Sequence, residues 1–147
     1  MIVAIIGPGL PNAIYAVAVV LIPHFVLTTR SAIRNEINKD YVTAMILDGA
    51  NKTRLFLRGI LPNILPPLIV QLTLAFSTAV LEIAALGFLG LGAQAPNPEW
   101  GTILSESHNN IVNAPWTVTF PGLAIFFTLL SINLVGDGLR DAMDLEK

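Results

Sequence analysis

An all-α integral membrane protein, a helical bundle with three full spans, is the fold class this sequence predicts, and three observations predict it. Of 147 residues, 54% are hydrophobic and only 12% charged, about half the roughly 25% charged share of an average soluble domain. Mean hydropathy is +0.70, and a soluble domain of this length leaves too much surface exposed to hide so apolar a composition. The charges are also segregated. Residues 1–29, 59–81 and 107–136 hold no Asp, Glu, Lys or Arg, and runs of ~18 or more apolar residues can cross a bilayer core of about 30 Å.

Residues 1–6 are wholly apolar yet too short to span, and they run into Gly7-Pro8-Gly9-Leu10-Pro11, a turn-forming cluster. They read as the N-terminal stub of a fourth helix, and the chain as part of a longer protein. A cleaved signal peptide is excluded because there is no basic n-region and two prolines and two glycines crowd the front end. Asn12 is placed to cap a helix over residues 13–29. Residues 12–29 cover ~27 Å at about 1.5 Å per residue, with a kink expected at Pro23.

Residues 30–62 form the one long polar stretch. It carries Arg30, Arg34, Lys39, Lys52, Arg54 and Arg58, six of the eight basic residues, against Glu36, Asp40 and Asp48. The second span covers residues 63–92, with Glu82 as its single charge and Pro62, Pro66 and Pro67 near its start, where proline costs a helix least. Residues 93–115 read as a polar loop with Glu99 and Glu106 as its charges, and Trp100 and Trp116 near its two ends, as interfacial aromatics often are. The third span covers residues 116–136, ends at Gly136-Asp137-Gly138, and leaves a short tail.

Basic residues, not net charge, set orientation. The 30–62 loop holds six, the 93–115 loop none, and the tail Arg140 and Lys147. The 30–62 loop and the C-terminus are therefore expected in the cytoplasm and the 93–115 loop outside.

Several function classes fall away. A net charge of −2 and a pI near 5.5 argue against a nucleic-acid partner. The absence of cysteine removes disulfides, thiolate catalysis and Cys-ligated metals. No G-x-x-x-x-G-K-[ST] string occurs, so the chain holds no phosphate cradle of that kind. His24 and His108 lack partners at metal-ligand spacing, and interfacial placement accounts for both. Glu99 and Glu106 are explained by loop polarity rather than by acid–base work. The glycines of Gly87-Phe88-Leu89-Gly90-Leu91-Gly92 stand in the wrong order for a dinucleotide fingerprint; they are expected to let helices approach closely. No catalytic residue, cofactor or metal is expected.

The polar stretch is more informative. Asp40 is placed to cap a short helix over residues 41–48, stopped by Gly49. Asn51 is placed to cap a second one toward Ile60, ended by Leu61-Pro62. Tyr41, Ala44, Met45 and Asp48 fall at helical spacing and share a face, which suits either insertion into another protein's groove or a solvated loop that merely fixes topology. Ala44, Gly49 and Leu61-Pro62 stand at the spacing of the EAA loop, E-A-A, three residues, G, nine residues, I-x-L-P. On these residues the chain resembles the permease subunits of ABC transporters. Thr43 stands where that motif has Glu, Met45 where it has the second Ala, and Gly59 where it has Ile. Asp40-Tyr41-Val42-Thr43-Ala44, Leu61-Pro62-Asn63, Ala85 to Gly92, Pro98-Glu99-Trp100-Gly101 and Gly136-Asp137-Gly138-Leu139-Arg140-Asp141 are similar to signatures of the peptide branch. The likeness is greatest to the second of the two permease subunits of dipeptide importers, and to about the C-terminal half of such a subunit.

The resemblance implies a transmembrane permease subunit of an ATP-driven peptide importer in the bacterial inner membrane, not an enzyme. It implies an ATPase-coupling loop made by Asp40, Tyr41, Ala44, Met45, Gly49, Ala50, Leu61 and Pro62. It implies ATP-binding cassette subunits, a second related permease and a periplasmic or extracellular peptide-binding protein as partners. Glu82, Gly87, Phe88, Gly90 and Gly92 are the expected pathway or helix-packing positions, since an intramembrane carboxylate should face protein or a cavity. Two other classes stay open: an ion-coupled secondary transporter with Glu82 as proton site, and a non-transporting scaffold from a truncated gene.

Overall fold

A computed structural model describes residues 2–94 and 96–144. Met1, Ala95 and residues 145–147, and with them the basic Lys147 of the expected tail, lie outside the described residues. Every regular element among those described is helical: α1 (Ile2–Ile6), α2 (Leu10–Ile37), α3 (Asp40–Leu47), α4 (Lys52–Arg54), a π-helical turn (Leu55–Ile60), α5 (Leu61–Phe88), α6 (Trp100–Ser107), a 3₁₀ turn (His108–Asn110) and α7 (Trp116–Asp144). Three stretches are long and apolar enough to cross a membrane: Leu10–Ile37, Lys52–Phe88 and Trp116–Met143. Only 17%, 17% and 11% of their apolar windows are buried within the chain. So much exposed apolar surface must meet lipid or other protein.

The helices outrun the apolar runs that announce them. α2 begins at Leu10 with Pro11 in its first turn, a position where the missing N–H costs nothing. Asn12 is therefore not the N-cap; it lies inside the helix and its Nδ2 donates to the Gly7 carbonyl at 3.2 Å. At the other end α2 passes Thr29 and continues to Ile37. The sequence from Arg30 to Ile37 holds no Gly or Pro and its Arg, Ala and Glu are good helix formers. A charge ends a membrane segment; it does not end a helix.

Leu61-Pro62 likewise does not break the chain. The helix begun at Lys52 passes through the π-turn into α5, and Pro62 falls in the first turn after it. At about 1.5 Å per residue the 37-residue stretch Lys52–Phe88 reaches about 55 Å, well beyond a core of roughly 30 Å, so part of it stands outside the hydrocarbon. α5 stops at Phe88, short of Gly92. The 93–115 segment contains α6 and the 3₁₀ turn, and α7 runs past Gly136 and Gly138 to Asp144.

The chain divides into two compact units. In the unit made of Met1–Leu21 and Ala75–Leu134, the core is built from small residues, Ala13, Ala16, Val17, Ala75 and Ala84 among them, which let helix backbones come close. Ser77 Oγ donates to Asn133 Oδ1 at 2.9 Å and ties α5 to α7, a bond of about 0.6 kcal/mol by the average for such pairs in membranes. In the unit made of Ile22–Leu74 and Val135–Lys147, Val42, Ile60 and Ile64 are buried. Thr28 Oγ1 donates to Gln71 Oε1 at 3.3 Å between α2 and α5. Gly136 faces Thr73 so closely that a Cβ there would overlap the threonine side chain. The glycine read as the end of the third span is thus a crossing point within α7.

Candidate functional site

α3 is an eight-residue helix, too short to persist alone, and its two ends are handled differently. At the N-terminus Lys39 takes the cap position, extended and without a side-chain bond, and Asp40 is the first helical residue. Asp40 therefore does not cap as its type predicts, though its charge still meets the positive end of the helix dipole. At the C-terminus the Gly49 N–H donates to the Ile46 carbonyl and the Ala50 N–H to the Met45 carbonyl, both at 3.0 Å. With φ of +76° at Gly49 this is a Schellman cap, and glycine is the residue that adopts it at least cost. Asn51 holds the N-cap position of α4 but makes no side-chain cap bond.

The face shared by Tyr41 and Met45 turns inward, onto the π-turn. Met45 Sδ lies 3.0 Å from where a Cβ on Gly59 would stand, and Val42 beside them is 1% exposed. The rest of the helix is exposed, at Thr43, Ala44, Ile46 and Leu47 and at the cap residue Asp48, with Leu47 83% exposed. The reason is local. The π-turn brings Gly59, with no side chain, under α3, and the large residues of α3 fill that space.

Tyr41 also anchors a polar cluster. Glu36, near the end of α2, is 6% exposed, and a carboxylate so buried needs donors. Lys39 Nζ supplies them at 3.0 Å to Oε1 and 2.8 Å to Oε2. Tyr41 Oη lies 2.8 Å from Glu36 Oε1 and 3.2 Å from the Gly59 carbonyl oxygen; its single proton goes to the shorter, charged acceptor. Asn63 Nδ2 donates both its protons, to Tyr41 Oη at 3.2 Å and to the Gly59 carbonyl at 2.8 Å. Burial holds the Tyr41 hydroxyl above the ordinary tyrosine range; the bond to Glu36 and its charge push the same way, and the bond from Asn63 opposes them. Tyr41 is thus a protonated donor at neutral pH. Leu61 is half-buried and Pro62 exposed on the first turn of α5.

The glycine-rich string gathers elsewhere. Gly90, at φ +74°, ends α5 in a second Schellman cap, with Gly90 N–H donating to the Gly87 carbonyl at 3.0 Å and Leu91 N–H to the Leu86 carbonyl at 2.9 Å. Gly92 folds back onto Gly87. These glycines therefore shape a helix end and a turn, not a crossing in mid-span, because the chain must reverse there to place α6. Glu99 is the N-cap of α6: Oε1 accepts from the Gly101 N–H at 2.9 Å and Oε2 from the Thr102 N–H at 3.2 Å. Its carboxylate packs on Gly87, where a Cβ would collide with it. His108 sets its ring edge against Phe88, centroids 6.5 Å apart at 89°. Glu82 is half-buried on α5, takes no part in this cap, and among the described residues no group of three His, Cys, Asp or Glu could hold a metal ion.

Glu36, Asn63 and Glu99 are the residues that sequence reasoning undervalued. Glu36 was legible only as a counter-charge, and its signal is an acid at a helix end five residues before a tyrosine. Glu99 had a clearer one, an acid followed at the third position by Thr102, whose hydroxyl donates back to the Glu99 carbonyl at 2.8 Å.

Comparison with known proteins bears on the whole chain. The family described as "Binding-protein-dependent transport system inner membrane component" matches residues 1–145. The di/tripeptide transport system permease protein DppC of Pseudomonas aeruginosa is 56% identical over 143 residues, 97% of this chain and 47% of that protein. The dipeptide transport system permease protein DppC of Escherichia coli K12 is 55% identical over 144 residues, 98% of this chain and 48% of the relative. The peptide transport system permease protein SapC of Salmonella typhimurium is 47% identical over 143 residues, 97% and 48% respectively. The chain spans about half the length of the curated relatives it matches.

Proposed function

The chain belongs to the binding-protein-dependent transport system inner membrane components, and on that premise we propose that it forms part of the translocation pathway of an ATP-driven peptide importer, with dipeptides as cargo. The likeness to dipeptide permeases along nearly the whole chain carries this reading. No phosphate-binding loop occurs in the sequence, so ATP is hydrolysed on a partner ATP-binding cassette subunit. A second related permease completes the pathway, and a peptide-binding protein delivers cargo.

The contact with the ATPase is the outward face of α3, Ala44, Ile46 and Leu47, ended by Gly49 and Ala50. An exposed apolar tip on a short helix is a surface that a groove in another protein can cover. Tyr41 and Met45 support that face from within, and Asp40, Leu61 and Pro62 flank it in sequence. Residues 30–62 and the C-terminus lie in the cytoplasm. The 93–115 segment lies outside, where the cleft of about 430 Å³ beside Gly87, Gln94, Asn97, Thr102 and Glu106 is open to the binding protein.

Two experiments test this. The tagged protein, purified from membranes of cells that also express its ATPase, companion permease and binding protein, retains the ATPase, and proteoliposomes of the complex import dipeptide only with ATP. Uptake driven by a proton gradient without ATP means a secondary transporter; no partner and no uptake means a scaffold. For topology, cysteines introduced at Asn51 and Asn109 into a chain with no native cysteine react with an impermeant reagent from opposite sides. Labelling of both from one side refutes the orientation.

A further inference from the structure

α3 is joined to its neighbours by short connectors and has only eight residues, so its direction is set by what it packs against. Val42 and Met45 supply apolar contact, which is non-directional. Tyr41 differs, because its hydroxyl meets two neighbours at once: Glu36 on α2 at 2.8 Å and Asn63 on α5 at 3.2 Å. A hydrogen bond to a buried carboxylate fixes distance and angle together. Asn63 also braces the carbonyl of Gly59 at 2.8 Å, inside the π-turn Leu55–Ile60. Such single π-turns interrupt the regular bonding of a helix and recur at functional sites.

We propose that Tyr41 is a positioning residue whose bonds to Glu36 and Asn63 make α3 move as one body with the ends of α2 and α5, so that displacement of its outward face is passed to those helices and not absorbed in the connectors around α3. This rests on the coupling role given to α3 above. The Tyr41 ring fills space beside Gly59, and its hydroxyl supplies alignment. Removing the hydroxyl alone therefore separates the two contributions.

The test uses the complete transport complex in proteoliposomes and reads dipeptide imported per ATP hydrolysed. Tyr41→Phe keeps the ring and the packing of Val42 and Met45; complex is recovered in wild-type amount with its ATPase bound, and the ratio falls about five- to tenfold, the lower end of a typical coupling between sites. Glu36→Gln keeps an acceptor for the hydroxyl and lowers the ratio less. The double variant falls short of the sum of the two single effects, because the Tyr41–Glu36 bond is shared between them. A merely structural role would lower recovery, hydrolysis and uptake together at constant ratio. An unchanged ratio in Tyr41→Phe overturns the proposal, and so does loss of assembly, since one hydroxyl would then act through stability and not alignment. Wild-type complex that hydrolyses ATP but imports no peptide sinks the functional reading; wild-type import with an unchanged ratio in Tyr41→Phe sinks this inference alone.

Discussion

On the proposed function, Gly49→Val abolishes ATP-driven uptake while the protein still reaches the membrane. Nothing stands within 4 Å of the position a Cβ would take at Gly49, so the obstacle is not space. It is the backbone: at φ +76° an L-residue pays about 1–2 kcal/mol, and a β-branched side chain is a clear outlier there. Relieving that strain means giving up the Gly49–Ile46 and Ala50–Met45 bonds that close α3. The chain then leaves Leu47 in another direction, and the apolar tip no longer points where the ATPase groove would receive it. Asparagine tolerates this conformation better than other non-glycine residues, so Gly49→Asn retains a substantial part of the uptake. Wild-type uptake in the valine variant with normal ATPase association removes the coupling role proposed for α3.

The same position shows what the sequence makes legible. The three apolar runs were plain because a membrane demands an unbroken apolar stretch, and Gly49 was plain because helices end on glycine more readily than on anything else. Helix ends marked only by charge were not plain. Arg30 and Arg34 close the apolar run of α2, yet they are good helix formers and the helix carries on to Ile37. Leu61-Pro62 resembles a stop, but a π-turn placed before it lets the helix continue.

Sidedness was the harder matter. Helical spacing puts Tyr41 and Met45 on one face of α3 without saying what that face meets, and the decisive neighbour, Gly59, stands fourteen or more residues away in sequence. The burial of Glu36 ran against its type, and donors such as Lys39 and Tyr41 make it tolerable. Gly87 illustrates the same limit: a glycine in an apolar string reads as helix packing, whereas its neighbour is the carboxylate of Glu99.

Gly101→Ala detaches α6 from α5. Gly101 is buried in the first turn of α6, and a Cβ there would overlap the main-chain carbonyl of Ala84. A side chain in the way can swing aside, but a carbonyl inside α5 cannot move without breaking that helix's own bonding. The load therefore falls on α6, which must lift away, and overpacking of this kind costs roughly 1–3 kcal/mol. An eight-residue helix has little else to hold it, since its cap at Glu99 is itself seated on Gly87 and lifts with it. Amide hydrogen exchange over Ile103–Ser107 accelerates about tenfold or more, as a loss of some 1.4 kcal/mol implies. On the proposed function, uptake that depends on the binding protein falls with it while the complex stays assembled. Ala84→Gly does not restore protection, because the colliding atom belongs to the backbone. Unchanged exchange in Gly101→Ala, or rescue by Ala84→Gly, contradicts the close seating of α6 on α5.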